Sequence, residues 1–210
     1  MFNALEPGSK MTKLCVTRHG ETDWNIAQVL QGWIDVPLND TGRRQALELA
    51  QTLAPYGFSR VCTSPLRRSA ETAEIIAKVW GLPPPTEYAG LKERNFGLIQ
   101  GMPKSELLLT HPGLHEEILQ RNPACDFDEG EPLDHFADRV LAAVGDIAQQ
   151  HAGTRVLAIT HGWVMDVITR DIKNLPRTTV LGVKRKNGES IWLTSPCGRV
   201  FAECDAPLIG

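Results

Sequence analysis

Three short stretches of this chain place charged and nucleophilic side chains where a buried strand would stop. "LCVTRHGETDWN" (Leu14 to Asn25) runs from an apolar segment straight into Arg18-His19-Gly20. "SRVCTSPLRR" closes a second short run with Ser64 to Arg68, and "VLAITHG" closes a third with His161-Gly162. In open α/β sheets, ligands bind at the carboxyl ends of the strands. If these runs are neighbouring strands, both histidines and at least two arginines converge on one point. Guanidinium forks match phosphate oxygens, and an imidazole can act as a nucleophile, so the set points to phosphoryl chemistry.

Each residue also has a plainer reading. A single strand-end histidine such as His19 or His161 is ordinarily a surface or satisfied structural residue. Arg67 and Arg68 beside a helix start would ordinarily be solvated. A zinc site would need a third His, Cys or carboxylate close by. His111, His115, His135 and His151 lie in loop or helical segments with no ligand spacing to either strand-end histidine, and they read as surface residues. The functional reading rests on strand-end placement recurring in all three runs.

Strands alternating with helices must position these groups. "KLCVT" (Lys13 to Thr17) predicts the first strand. "TGRRQALELAQTLAPYG" carries Ala46, Leu49, Ala50 and Leu53 at helical spacing, with Thr41 as N-cap and Pro55 with Gly57 as the stop. "SRVCTS" is a second strand, and "SAETAEIIAKVWG" a helix ended by Gly81. Pro83 to Pro85 form a stiff linker to a further strand. "PLDHFADRVLAAVGDIAQQHAG" is the clearest helix, with Pro132 in its first turn and Gly153 at its end. "TRVLAITH" is the most apolar strand, followed by a helix from Trp163 to Asp171. Asn187-Gly188 between two extended runs predicts a terminal hairpin. The pattern predicts a three-layer α/β/α sandwich around a mostly parallel sheet. Residues 1–12 read as a flexible N-terminal extension and 13–210 as a single domain. Within it, the polar, Pro- and His-containing stretch 101–130 reads as a lid or insertion.

The bulk properties exclude several partners. The chain has 210 residues, 42% of them apolar, and a net charge of −3. That suffices for one sizeable core, and no basic field points to nucleic acid or an anionic membrane. The only cationic run is Lys184 to Lys186, which reads as a solvated turn. The five cysteines, Cys15, Cys62, Cys125, Cys197 and Cys204, are odd in number and widely spaced, which argues against a disulfide framework or zinc cluster. With no signal peptide or bilayer-length apolar run, a soluble cytoplasmic protein is expected. An edge strand or the terminal hairpin could support a homodimer.

"RHGETDWN" (Arg18 to Asn25), "TSPLRRSAETA" (Thr63 to Ala73), "LKERNFGLIQG" (Leu91 to Gly101) and "THG" (Thr160 to Gly162) together resemble the histidine phosphatase superfamily, the phosphoglycerate mutase-like group. The four blocks stand in the family's order. The resemblance implies that His19 forms a phosphohistidine. It further implies that Arg18, Arg68 and His161, with Gly162 beside it, line the phosphate pocket and that Asn25 donates a side-chain hydrogen bond. Glu93 would protonate the leaving oxygen and then activate water. Gln31 and Gly32 match a substrate loop of the mutases, and Arg94 and Lys104 match positions that hold the mutase substrate's charged groups. No metal and no cofactor is implied, because arginines supply the positive charge.

Within that family the chain reads as a phosphomonoesterase acting on small phosphorylated metabolites. The segment from Met102 to Gly130 is shorter than in the mutases and holds Arg121 amid "CDFDEGE", a poor lid for a bisphosphate. Lys104 argues the other way, toward a phosphoglycerate mutase primed by 2,3-bisphosphoglycerate. A non-catalytic phospho-ligand-binding module would be expected to have lost His19, Glu93 or His161, and all three are present.

Overall fold

A computed structural model describes residues 11–195 and 202–206, so the proposed extension 1–12 lies almost entirely outside the described residues. The chain enters the sheet at once, with β1 spanning Thr12–Arg18. There follow α1 (Asp23–Ile26), α2 (Asp40–Leu53), β2 (Arg60–Thr63), α3 (Arg67–Trp80) and the short β3 (Thr86–Glu87). Next come α4 (Lys104–Thr110), α5 (Pro112–Leu119), α6 (Leu133–Gln150), β4 (Arg155–Thr160) and α7 (Gly162–Ile172). β5 (Ser190–Ser195) and β6 (Ala202–Glu203) complete a six-stranded sheet of order β3-β2-β4-β1-β5-β6. The first four strands in that order run parallel, and β5 and β6 are antiparallel to their neighbours.

Two faces of the sheet are buried, which explains the nearly continuous apolar runs in its central strands. Successive side chains of a strand point to opposite faces. Leu14 and Val16 of β1 and Val156 and Ala158 of β4 pack with Val140, Val144 and Ile147 of α6 and Val164 of α7. Cys15, Leu157 and Ile159 face the other way, onto Ala50 and Leu53 of α2 and Ala73, Ile76 and Ala77 of α3. The result is the three-layer sandwich that the alternation of elements predicts.

Register delivers the strand-end motifs to one line. Arg18 lies opposite Thr160 in the β1–β4 ladder, and Thr63 lies opposite Ile159 in the β2–β4 ladder. His19, Ser64 and His161 therefore leave the sheet side by side.

Local chemistry differs from the sequence expectations at several points. The N-cap of α2 is Asn39, not Thr41; its side chain accepts from the Gly42 N–H at 2.8 Å. Pro132 sits at the N-cap of α6, one residue earlier than expected. Gly81 ends α3 in the left-handed region with φ +64°, where a side chain would be strained. The stretch 101–130 contains two helices, α4 and α5. The terminal hairpin does not form. Asn187-Gly188 is a turn, but residues 180–186 belong to no strand, and β5 pairs with β1 and β6 instead. The first arm is held by a side chain rather than a ladder: Arg185 is buried and donates to Asp166 of α7 at 3.1 Å and to Thr169 at 2.6 Å. Of the run Lys184 to Lys186, the two lysines are exposed as expected, while Arg185 is buried and the turn falls one residue later, at Asn187-Gly188. Among the described residues, no helix is long and apolar enough to cross a membrane.

One close approach couples a helix to the strand-end loop. A Cβ on Gly20 would stand 2.5 Å from the Gly42 carbonyl oxygen, and a Cβ on Gly42 would collide with the Glu21 carbonyl oxygen. Both obstacles are backbone, so neither can swing aside. Gly42→Ala is expected to destabilise the fold by about 1–3 kcal/mol, the range for overpacking. Urea unfolding reads this directly, and an unchanged midpoint would show that the α2 contact is slack.

Candidate active site

The strand ends open into a cavity of about 150 Å³. His19 forms its floor and is 3% exposed. Its Nδ1 lies 2.6 Å from the Gly20 carbonyl oxygen. A carbonyl can only accept, so Nδ1 carries the proton and the Nε2 lone pair is left for an electrophile. Burial, then the charges of Arg68 and Arg18, hold the imidazole well below its usual pKa. The ring is positioned from both sides along the chain. The His19 N–H donates to Thr160 at 2.9 Å, and the Asn187 amide donates to the His19 carbonyl at 2.9 Å.

Arg18 and Arg68 line the same cavity as His19 without counter-ions. Arg68 is 1% exposed and donates to the carbonyls of Gly32 at 2.8 Å and Ile34 at 3.1 Å. Arg18 donates to the Arg185 carbonyl at 2.5 Å. The Nε of each is buried and unpartnered, and neither joins an ion pair among the described residues. Burial lowers the Arg68 pKa to about 10, which still leaves it charged at neutral pH. Two positive charges held only by neutral carbonyls make a receptor for a dianion.

His161 faces His19 across 5.2 Å between ring centroids. Its Nε2 is 2.8 Å from Ser64 Oγ, while its buried Nδ1 has no partner. Burial, Arg68 and His19 hold it well below the ordinary histidine pKa. Gly162 opens α7 and lines the cavity; a Cβ there would stand 3.3 Å from Arg121. Asn25 lines the cavity as well. Its Oδ1 accepts from Thr22 N–H at 3.1 Å and, more weakly, from Asn187, which leaves its amide N–H groups for a ligand. Gln31 donates to Thr22 at 2.9 Å, and its buried Oε1 is unpartnered. Gly32 borders the cavity and lends its carbonyl to Arg68.

Glu93 is the cavity's carboxyl and is 8% exposed. Burial raises its pKa, with Arg121 the largest opposing influence. Its Oε1 accepts from the Arg94 N–H at 3.0 Å. Arg94 itself points the other way and does not line the cavity. Its guanidinium donates to the carbonyls of Pro123 at 2.8 Å, Glu131 at 2.9 Å and Cys125 at 3.0 Å. The expectation that Arg94 holds substrate charge is therefore corrected: consecutive side chains diverge, and Arg94 secures the segment behind Glu93.

Lys104, at the start of α4, does line the cavity, and it is joined by two cations that sequence reasoning did not assign, Arg121 and Lys184. Burial first, then Lys184, Arg121 and Arg18, lower the Lys104 pKa. Arg121 is aimed by an ion pair with Asp166 and lies 5.1 Å from the Trp163 ring centroid. The acids that gave this segment its acidic look, Asp126, Asp128 and Glu129, are exposed and line no part of the cavity. The mouth is cationic, not acidic. Lys184 was hinted at only by its place in the one basic run.

Over residues 14–200 the sequence matches the histidine phosphatase superfamily (branch 1), and the chain belongs to that family. It is 36% identical over 162 residues to the uncharacterized phosphatase PhoE of Bacillus subtilis, covering 77% of this chain and 78% of that one. It is also 36% identical over 162 residues to a metal-independent phosphoserine phosphatase of Arabidopsis thaliana, covering 76% of this chain and 68% of that protein. The solved structure of Bacillus stearothermophilus YhfR superimposes with a TM-score of 0.83 at 30% identity, over 91% of this chain and 95% of that one. Relatives named as probable phosphoglycerate mutases match too.

The two shifted groups set a pH dependence. A protonated His19 has no lone pair to offer, and its depressed pKa keeps it neutral well below pH 6.5. A deprotonated Glu93 has no proton to give, and its raised pKa keeps the proton above pH 4.5. The kcat/KM profile on an alkyl phosphate is expected to fall on the acid side only well below pH 6.5 and on the alkaline side as Glu93 ionises. Glu93→Gln should remove the alkaline limb and leave the acid one, while the substrate's own ionisation stays common to both proteins. An alkaline limb unchanged in Glu93→Gln would assign it to another group.

Proposed function

We propose that the chain is a phosphomonoesterase that acts on small phosphorylated metabolites through a phosphohistidine on His19. The observation that carries this is the pairing of a buried imidazole, its Nδ1 tied to Gly20, with two guanidiniums that lack counter-ions. The phosphoryl group of a monoester would sit between Arg18 and Arg68, with His161 Nδ1 and the Asn25 amide completing the cradle. Nε2 of His19 attacks phosphorus. The bond to the ester oxygen breaks, and Glu93 passes its proton to the departing alcohol. The carboxylate then takes a proton from water, whose oxygen attacks the phosphohistidine and releases inorganic phosphate. Donors fixed around the equatorial oxygens stabilise the charge spread in both steps, so the guanidiniums supply what a metal supplies elsewhere. Phosphatase names among the relatives support the hydrolytic outcome. The described cysteines are free, with Cys15, Cys62 and Cys125 buried, which suits a reducing compartment and supports a cytoplasmic location.

The cationic mouth favours a second reading, a mutase that returns the phosphoryl group to a bound monophosphate. Lys104, Arg121 and Lys184 could hold a carboxylate or a second phosphate there. With Lys104, Arg121 and Lys184 in the lining, the acidic look of the segment from Met102 to Gly130 no longer argues against a bisphosphate.

One experiment tests both. The wild type incubated with phosphomonoester should trap an acid-labile, base-stable phosphoryl group on His19, and turnover should survive chelation. His19→Ala should lose at least about 10³-fold in kcat, as expected when a covalent nucleophile is removed. With 3-phosphoglycerate, free phosphate should accumulate whether or not 2,3-bisphosphoglycerate is added. Bisphosphate-dependent formation of 2-phosphoglycerate with little free phosphate would select the mutase. Retained activity in His19→Ala would end the covalent mechanism.

A further inference from the structure

The proton donor is held from behind. Four consecutive carbonyls, from Gly90 to Glu93, each accept a hydrogen bond from a side chain. Leu91 accepts from Thr160 Oγ1 at 2.8 Å. Gly90 and Lys92 accept from Arg139 Nη1 at 2.8 and 2.7 Å. Glu93 accepts from Arg139 Nη2 at 2.9 Å and from Trp33 Nε1 at 2.6 Å. Arg139 stands on α6 and also forms a bidentate pair with Glu131, at 2.6 Å from Nε and 2.7 Å from Nη2. Its five N–H donors are therefore all committed, three to the Glu93 loop and two to Glu131. Glu131 extends the clamp: its N–H donates to the Asn95 carbonyl at 2.9 Å, and its own carbonyl accepts from Arg94. The loop lies hard on the helix, since a Cβ on Gly90 would come within 2.6 Å of both Ala143 Cβ and the Arg139 carbonyl. Arg139 does not line the cavity.

We propose that Arg139, anchored by Glu131, is a positioning residue that fixes the height and direction of the Glu93 carboxyl over the site. This rests on the assignment of Glu93 as proton donor. A guanidinium is required, because three carbonyls that fan around one loop need a planar fork, and an ammonium is a point charge on a flexible stem. Displacing a proton donor by an ångström is enough to slow proton transfer while leaving phosphate binding and nucleophilic attack in place.

Arg139→Lys tests this by single-turnover rates of phosphoenzyme formation. With glycerol phosphate, whose alkoxide needs a proton to leave, the rate should fall by about 10–100-fold, part of the contribution of a general acid. With p-nitrophenyl phosphate, whose phenolate leaves unaided, it should change by less than about threefold on the same grounds. In a Glu93→Gln background Arg139→Lys should add almost nothing on glycerol phosphate, because a residue that acts only through Glu93 is fully coupled to it. Glu131→Gln should reproduce the ester-selective loss at smaller amplitude, and it carries the test if Arg139→Lys fails to fold. Equal losses on both esters, or losses that add to those of Glu93→Gln, would make Arg139 a structural residue only and leave Glu93 in its role. If Glu93→Gln itself treats the two esters alike, the assignment of Glu93 is wrong and the positioning role falls with it.

Discussion

Two guanidiniums, Arg68 buried and Arg18 half-buried, with no carboxylate among the described residues in an ion pair with either, are the constraint around which the site is built. Burying a charge is unfavourable unless it is hydrogen-bonded and paired. Here the hydrogen bonds are supplied by carbonyls of Gly32, Ile34 and Arg185, while the pairing is left to whatever enters the cavity. The same field acts on the other groups. It helps to keep His19 and His161 neutral, and it opposes, without outweighing, the burial that raises the Glu93 pKa. Electrostatics that would be unfavourable in an empty core suit the cavity to an anionic ligand.

Arginine plays two separate parts in this protein. Arg18, Arg68 and Arg121 reach the cavity. Arg94, Arg139 and Arg185 never do; each gathers polar groups of irregular backbone or buried side chains that no ladder serves. Loops beside an active site cannot satisfy their carbonyls through secondary structure, and buried carbonyls must be satisfied somehow. A planar fork with several donors does this with one side chain. The result is a stiff rim around the cavity built largely from non-repetitive chain.

These two roles also explain what could be read from the amino-acid sequence. The sheet, its sandwiching helices and the strand-end histidines follow from short continuous apolar runs, from period-3.6 patterns and from the abrupt polar residues after each apolar run. Loop residues carry no such period. Glu93 and Arg94 are neighbours that point in opposite directions, and nothing in their spacing says which enters the cavity. Arg121 adopts a left-handed φ of +54° and is aimed by Asp166, a partner on a different helix, so its acidic neighbours misrepresent its surroundings. Asn187-Gly188 carries a sound turn signal, yet a buried Arg185 overrides the pairing that usually follows it. Arg139 reads as one more solvated position on an amphipathic helix.

The strand that ends at His19 lies near the middle of the sheet, between partners that come late in the chain. β1 pairs with β4 and β5, and the amide that holds the His19 carbonyl belongs to a residue 168 positions further on. Such long-range pairing is slow, because loop-closure entropy is lost before contacts compensate it. β1 therefore gains its two neighbours only once β4 and β5 are present. A chain lacking β4, β5 and Asn187 would lack both ladders that hold β1 and the amide that holds the His19 carbonyl, so the placement of His19 depends on the C-terminal third.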